Sequence, residues 1–342
     1  MPRALIIGPD FYNFNNAVSD AFFWHSGFND VRTVAYGTPV DPYNAANKLR
    51  YKLALDKEAF RARNRRLRQE YFRSIFDNLV PDIVFILNGE ILLGETLDYF
   101  RRSARVAVWC FDSVKHIPAV KDHIDHADRF YCYDKGDIEY YAAQGKQALF
   151  LPQAADTSVY HPLEGVEKDI DILFVGDLYH SPRRQHYIHE VVKAFPDKKI
   201  KVVGIYKPWY KNPVKALLRE RRDVYTNHNV APGAVNELYN RAKVVLNIHN
   251  EQQTDGANPK VFEICASGAY QVCDANPYLH NLFPNGETGL YDNPGQMIVL
   301  IREALEGSKA ANAAAARAIF LEKHTFKRRI STVVEDLNNL DR

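Results

Sequence analysis

What this sequence lacks narrows the field first. No apolar run in its 342 residues approaches the roughly 20 needed to cross a bilayer, so no membrane-spanning helix is expected. Cysteine is scarce: Cys110, Cys132, Cys265 and Cys273 are the only four, and none stands in C-x-x-C spacing. Three of them sit in apolar runs, which reads as buried thiols in a reducing compartment rather than disulfides or a zinc site. The opening Met1-Pro2-Arg3-Ala4-Leu5-Ile6-Ile7-Gly8 turns polar too soon for a secretory signal, so a cytoplasmic location is expected. Large net charge is absent too. A balance of +2 gives no footprint for sequence-specific nucleic-acid binding. Neither glycine-ended apolar run continues as G-x-G-x-x-G: Gly8 is followed by Pro9-Asp10-Phe11, and Gly176 by Asp177-Leu178-Tyr179. G-x-x-x-x-G-K-[ST] is missing as well, so dinucleotide and ATP readings lose support.

What is present is a soluble globular composition, 46% hydrophobic and 25% charged, in a chain longer than one typical core. Short apolar runs at 4–8, 30–35, 83–87, 106–111, 130–133 and 148–151 alternate with helical patterns. A Pro-, Gly- and charge-bearing stretch at 156–168 reads as a linker. After it the pattern restarts at Ile170-Asp171-Ile172-Leu173-Phe174-Val175-Gly176 and repeats through 200–204, 243–249 and 269–274. The expected fold class is α/β: two Rossmann-like, doubly wound domains facing across a cleft. Their expected bounds are 1–160 and 168–320, with a C-terminal helix over 321–342 packing back toward the first. One long basic helix is expected over 48–79. Its arginines at 61, 63, 65, 66, 68 and 73 form a solvated face, and 57–73 is also a candidate contact for anionic lipid at the inner membrane face. A further basic insertion is expected over 209–222.

The densest chemical signal lies in Asn258-Pro259-Lys260-Val261-Phe262-Glu263-Ile264-Cys265-Ala266-Ser267-Gly268. Asn258 suits an N-cap, Pro259 the first helical position and Gly268 the left-handed close. Helical spacing puts Lys260, Glu263 and Ser267 on one side. The helix tip attracts phosphate, and a carboxylate follows one turn on. A nucleoside diphosphate needs both, as donors for phosphate and as an acceptor for ribose hydroxyls. The plain alternative is a surface helix with an i,i+3 Lys–Glu pair.

In chain order, the 171–176 strand, Pro182-Arg183-Arg184, the 238–249 stretch, Lys260-Val261-Phe262-Glu263 and Ala266-Ser267-Gly268-Ala269 resemble the carboxyl-terminal half of GT-B type glycosyltransferases. The spore-maturation-protein family of bacterial glycosyltransferases is the nearest match. The resemblance covers about 168–335 well and the first half more loosely. It implies that Glu263 hydrogen-bonds the donor ribose. Asp255 stands where many relatives carry a further Glu. Arg183 or Arg184, with Lys260 and Asn258 at the helix tip, would hold the diphosphate. No Asp-x-Asp stands where a metal-dependent transferase would need one, so neither metal nor cofactor is expected; the nucleotide sugar is a co-substrate. Base recognition is expected around 204–206, including Tyr206, and at 229–230.

Acceptor and catalytic groups are expected from the first half. Asp112 follows a buried strand, where such sheets bind ligands, and is the candidate base of an inverting mechanism. His116, four residues on, would share that work. Asp10, Asn13 and His25 are candidate contacts to a carbohydrate or other hydroxyl acceptor. A sugar-nucleotide 2-epimerase and a non-catalytic nucleotide-sugar-binding protein remain as alternatives on the same scaffold.

Overall fold

The computed structural model describes residues 2–9, 13–25, 27–36, 45–205, 224–226, 228–251 and 253–340, with backbone only at 25 and 45–48. The chain divides into two compact units. Unit 1 comprises Met1–Leu151 and Phe326–Arg342, and unit 2 comprises Pro152–Thr325. The 156–168 stretch thus falls inside unit 2. No described helix is long and apolar enough to cross a membrane.

Unit 1 is a parallel sheet of β1 (Arg3–Pro9), β2 (Asp30–Tyr36), β3 (Ile83–Leu87), β4 (Arg105–Cys110), β5 (Arg129–Cys132) and β6 (Leu149–Phe150), in the order β2-β1-β3-β4-β5-β6. All five residues of β3 are buried, because helices cover both faces. On one face α3 (Lys57–Leu79) and α4 (Gly94–Arg101) bring Phe72, Phe76, Leu97 and Phe100 onto Leu5, Ile86 and Val108. On the other lies α1 (Phe14–His25), joined by the last helix of the chain, α12 (Phe326–Asn338). There the rings of Trp109 and Phe111 sit 4.5 Å apart, Phe14 and Phe111 4.8 Å, and Phe14 and Phe326 5.6 Å.

The C-terminal helix begins at Phe326, not at 321, and the long basic helix also differs from expectation. The 48–79 stretch is two helices, α2 (Ala45–Leu53) and α3, not one. The Asp56 carboxylate accepts from the Glu58 and Ala59 N–H groups, both at 2.9 Å, and this cap restarts the helix. After β4 the chain makes only a short 3-10 turn, Pro118–Asp125. Pro118 pushes Ile117 out of helical conformation (φ −117°, ψ 75°), so nothing upstream can feed a longer helix. A short helix α5 (Lys135–Ala142) completes the crossover to β6.

Unit 2 holds β7 (Ile170–Val175), β8 (Ile200–Val203), β9 (Tyr225–Thr226), β10 (Ala242–Asn247), β11 (Gln271–Asp274) and β12 (Gly289–Tyr291), parallel in the order β12-β11-β10-β7-β8-β9. Its helices are α6 (Pro182–Ala194), α7 (Pro232–Arg241), α8 (Pro259–Ala266), α9 (Pro277–Leu282), α10 (Pro294–Glu306) and α11 (Ala310–Lys323). Those from α6 to α10 open with proline, four of them behind Ser181, Asn258, Asn276 and Asn293 caps. β10 lies beside β7, so the connections part there and leave a crevice at the carboxyl ends of the strands. Close backbone approach shapes this edge. Gly204 has φ +138°, and a Cβ on it would stand 2.1 Å from the Gly176 carbonyl oxygen, so only glycine fits.

Candidate functional site

The carboxyl end of β10 organises unit 2. Three consecutive residues there each hold a different piece of the site. Asn247 exchanges amide hydrogen bonds with Asn258 at 3.1 and 3.0 Å, while Asn258 Oδ1 also accepts the Val261 N–H at 3.2 Å. The N-cap of α8 is therefore bolted to the strand beside the crevice. The Ile248 carbonyl accepts Arg184 Nε at 2.8 Å, and Arg184 Nη1 reaches the Asp177 carbonyl at 3.2 Å. That guanidinium spans the ends of β7 and β10. The His249 carbonyl accepts Arg183 Nη1 at 3.4 Å. The tip of α8 and the opening turn of α6 thus share one edge of the sheet.

Glu263 is buried, 2% exposed, one turn into α8. Its Oε2 accepts from the Tyr239 hydroxyl at 3.3 Å and lies 3.5 Å from Lys260 Nζ. Ser267, next along the same side, donates to Asn236 Oδ1 at 2.7 Å. A buried carboxylate costs several kcal/mol unless partnered, so this one is a built feature rather than a surface charge. The ordinary surface-pair reading of Lys260 and Glu263 does not survive that burial. Asp255 is half-buried in the loop entering α8.

The two arginines have different roles. Arg184 is buried and holds backbone carbonyls, a positioning role. Arg183 is partly exposed and pairs with Asp274 Oδ2 at 2.9 Å over the Tyr187 ring. Asp274 Oδ1 accepts the His249 N–H at 2.9 Å and meets His249 Nδ1 at 2.7 Å. Burial alone would raise its pKa, but His249 and then Arg183 hold the carboxyl down at about 2. His249, Cys273 and Asp274 offer metal-ligand atoms within 4.8 Å of one another. As a metal site they fit poorly: Arg183 already holds the carboxylate, and burial raises the Cys273 thiol well above its ordinary value.

The chain does contain one Asp-x-Asp, Asp169-Ile170-Asp171, at the amino end of β7. Asp169 pairs with Arg241 and Lys199, and Asp171 with Lys243, all on the edge opposite the crevice.

In unit 1 the strand ends are tied in the same manner. Asn88 is buried and left-handed (φ +57°); its Oδ1 accepts the Phe111 N–H at 2.7 Å and its Nδ2 lies 3.3 Å from Asp112 Oδ2. Solvent reaches Asp112, yet the sheet end on its other flank strips hydration and raises its pKa, against the pull of Asn88 and His116. His116 is close enough to lower the Asp112 pKa, the smallest of the influences on it. Just beyond, Ser113 Oγ donates to buried Asp137 at 2.7 Å and fixes the loop. The Tyr36 hydroxyl takes the Gly89 N–H at 3.0 Å and faces Glu90 Oε2 at 2.6 Å. Asn13 is left-handed (φ +61°) and its Oδ1 accepts from Asn16 Nδ2 at 2.6 Å, so it opens α1. Asp10, Tyr206, the 209–222 insertion and the His25 side chain lie outside the described residues.

Sequence reasoning missed Asn247, Tyr239, His249, Asp274 and Asn88. The available signal was a polar residue ending a buried run, at Asn88, Asn247 and Asp274 alike.

A model of the glycosyl transferase-like family matches residues 183–335, less than half of the chain. No curated protein matches the sequence significantly. Among solved structures, sucrose-phosphate synthase from Thermosynechococcus elongatus superposes with a TM-score of 0.69 at 11% identity, over 99% of each chain. The UDP-forming α,α-trehalose-phosphate synthase of Burkholderia vietnamiensis gives 0.67 at 14% identity, over 99% of this chain and 100% of its own. Anabaena HepE, in complex with UDP and glucose, gives 0.64 at 12% identity, with the same coverage. The fold is GT-B. At such identities the GT-B likeness speaks for architecture alone, and the activity has to be argued from the site.

Proposed function

We propose that this protein is a glycosyltransferase, moving a sugar from a nucleoside-diphosphate donor to a hydroxyl acceptor without a metal. The observation that carries the reading is Glu263: a buried carboxylate one turn behind a capped, proline-led helix tip at the carboxyl edge of the unit 2 sheet. Glu263 holds the ribose hydroxyls. The positive end of α8, Lys260 and Arg183 take the diphosphate, and the growing charge of the leaving group is met by fixed cations. Asp255 stands near the sugar, and Asn258 sets the tip. Arg184 acts through the backbone it braces, so Arg183 is the better diphosphate ligand of the two. UDP, held by the Anabaena neighbour, is the first nucleotide to try. Placement with the spore-maturation type rests on the sequence motifs.

Asp112 is the base if the enzyme inverts, accepting the acceptor hydroxyl proton. Asn13 is an acceptor-side candidate, along with Asp10 and His25. Donor consumption separates the alternatives. Incubation with UDP-sugars and an acceptor panel, followed by NMR, should give UDP and a new glycoside. A mass-neutral change without acceptor would mean an epimerase, and binding without turnover across the panel a binding protein; either result would overturn the proposal. Asp112→Asn should cut turnover at least about a hundredfold while nucleotide affinity holds.

A further inference from the structure

The break between α2 and α3 leaves an exposed corner with its own chemistry. Leu49 and Leu53, one turn apart on α2, are 58% and 72% exposed, and Leu55 at the corner is fully exposed. Tyr51 clamps α2 to α3. Its ring packs on Phe60, with Lys57 Nζ and the Arg61 guanidinium 5.8 and 5.1 Å from its centroid, and Arg61 Nη2 donates to its hydroxyl. With Tyr51 turned onto α3, the leucines stand outward among Arg50, Lys52 and Lys57. Along α3, Arg61, Arg63, Arg65 and Arg66 are all exposed.

Charge concentrates here. Residues 49–73 hold nine Lys and Arg against three acids, whereas the whole chain carries only +2. The remainder of the protein is therefore net negative. Exposed leucines flanked by exposed basic residues suit a fluid, anionic surface better than the shaped groove a protein partner would need. Leucines sink below the headgroups while long Lys and Arg side chains lie back to the phosphates.

We propose that the α2–α3 corner docks the protein on bilayers containing anionic phospholipid, with Leu53 and Leu55 inserted and the α3 arginines on the phosphates. This does not depend on the glycosyl-transfer reading. The test is co-sedimentation of the full chain with vesicles of equal parts phosphatidylcholine and phosphatidylglycerol, against phosphatidylcholine alone. Wild type should bind the anionic vesicles only. L53Q/L55Q and R63E/R65E should each weaken that binding by about tenfold or more, with thermal midpoints unchanged because all four positions are exposed. Absence of wild-type binding, equal binding to neutral vesicles, or an L53Q/L55Q pair binding as tightly as wild type would each overturn the proposal. So would a lipid-free dimer on size-exclusion chromatography that L53Q/L55Q abolishes, since the corner would then be a contact between copies. UDP binding by the same variants keeps the two readings apart: it belongs to unit 2 and should not change.

Discussion

At the scale of single residues, two carboxylates behave oppositely for stated reasons. Asp274 is held down at about 2 by His249 and Arg183 despite its burial. Its folded pKa lies below the unfolded value near 3.9, so it stabilises the fold above about pH 4 and loses that contribution between about pH 4 and 2. Asp274→Asn should cost about 3 kcal/mol at neutral pH, because Arg183 loses its counter-charge. Urea unfolding followed from pH 7 down to pH 2 checks it: the deficit should shrink across that acid window. Asp112 is shifted upward by burial, with His116 pulling it back. If deprotonated Asp112 is the base, the acid limb of kcat/KM lies above the ordinary carboxylate range. His116→Gln removes a lowering influence, so that limb should move to higher pH. A limb that stays in place would separate His116 from the base. The pairing of Asp274 was not legible in the sequence, because its partners sit 25 and 91 positions away and meet it only through strand order.

At the scale of elements, α8 was readable in advance and its support was not. Asn258, Pro259 and Gly268 mark its ends with local chemistry alone. The Asn247–Asn258 amide exchange needs the end of β10 beside the tip of α8, which no local pattern states. Asn258→Ala should therefore cost more than an ordinary cap, about 2–3 kcal/mol by thermal or urea unfolding, since Asn247 is left buried and unpaired. A loss within a few tenths of a kcal/mol would mean that the cap is not coupled to the strand. The α2–α3 break shows the reverse case. Apolar periodicity ran on through 48–79, yet Asp56 with two N–H groups to cap was enough to restart the helix.

At the scale of the whole molecule, alternating buried runs and helical patterns made both doubly wound units legible. Strand order was not, because adjacency between β10 and β7 joins segments about 70 residues apart. Unit 1 is built from both ends of the chain. Helix α12 buries Phe326, Ile330, Val333 and Leu337 in it, worth about 6 kcal/mol on apolar area, comparable to a unit's entire stability. A chain ending at Thr325 should lose cooperative unfolding of unit 1, followed by Trp109 fluorescence. UDP binding by unit 2 should remain; loss of both together would contradict independent cores.

The most direct measurement is isothermal titration of UDP into wild type and Glu263→Gln, alongside their thermal midpoints. If Glu263 grips the ribose, the variant binds about ten- to a hundredfold more weakly while remaining folded. Equal affinity in a folded variant would contradict the account at its root.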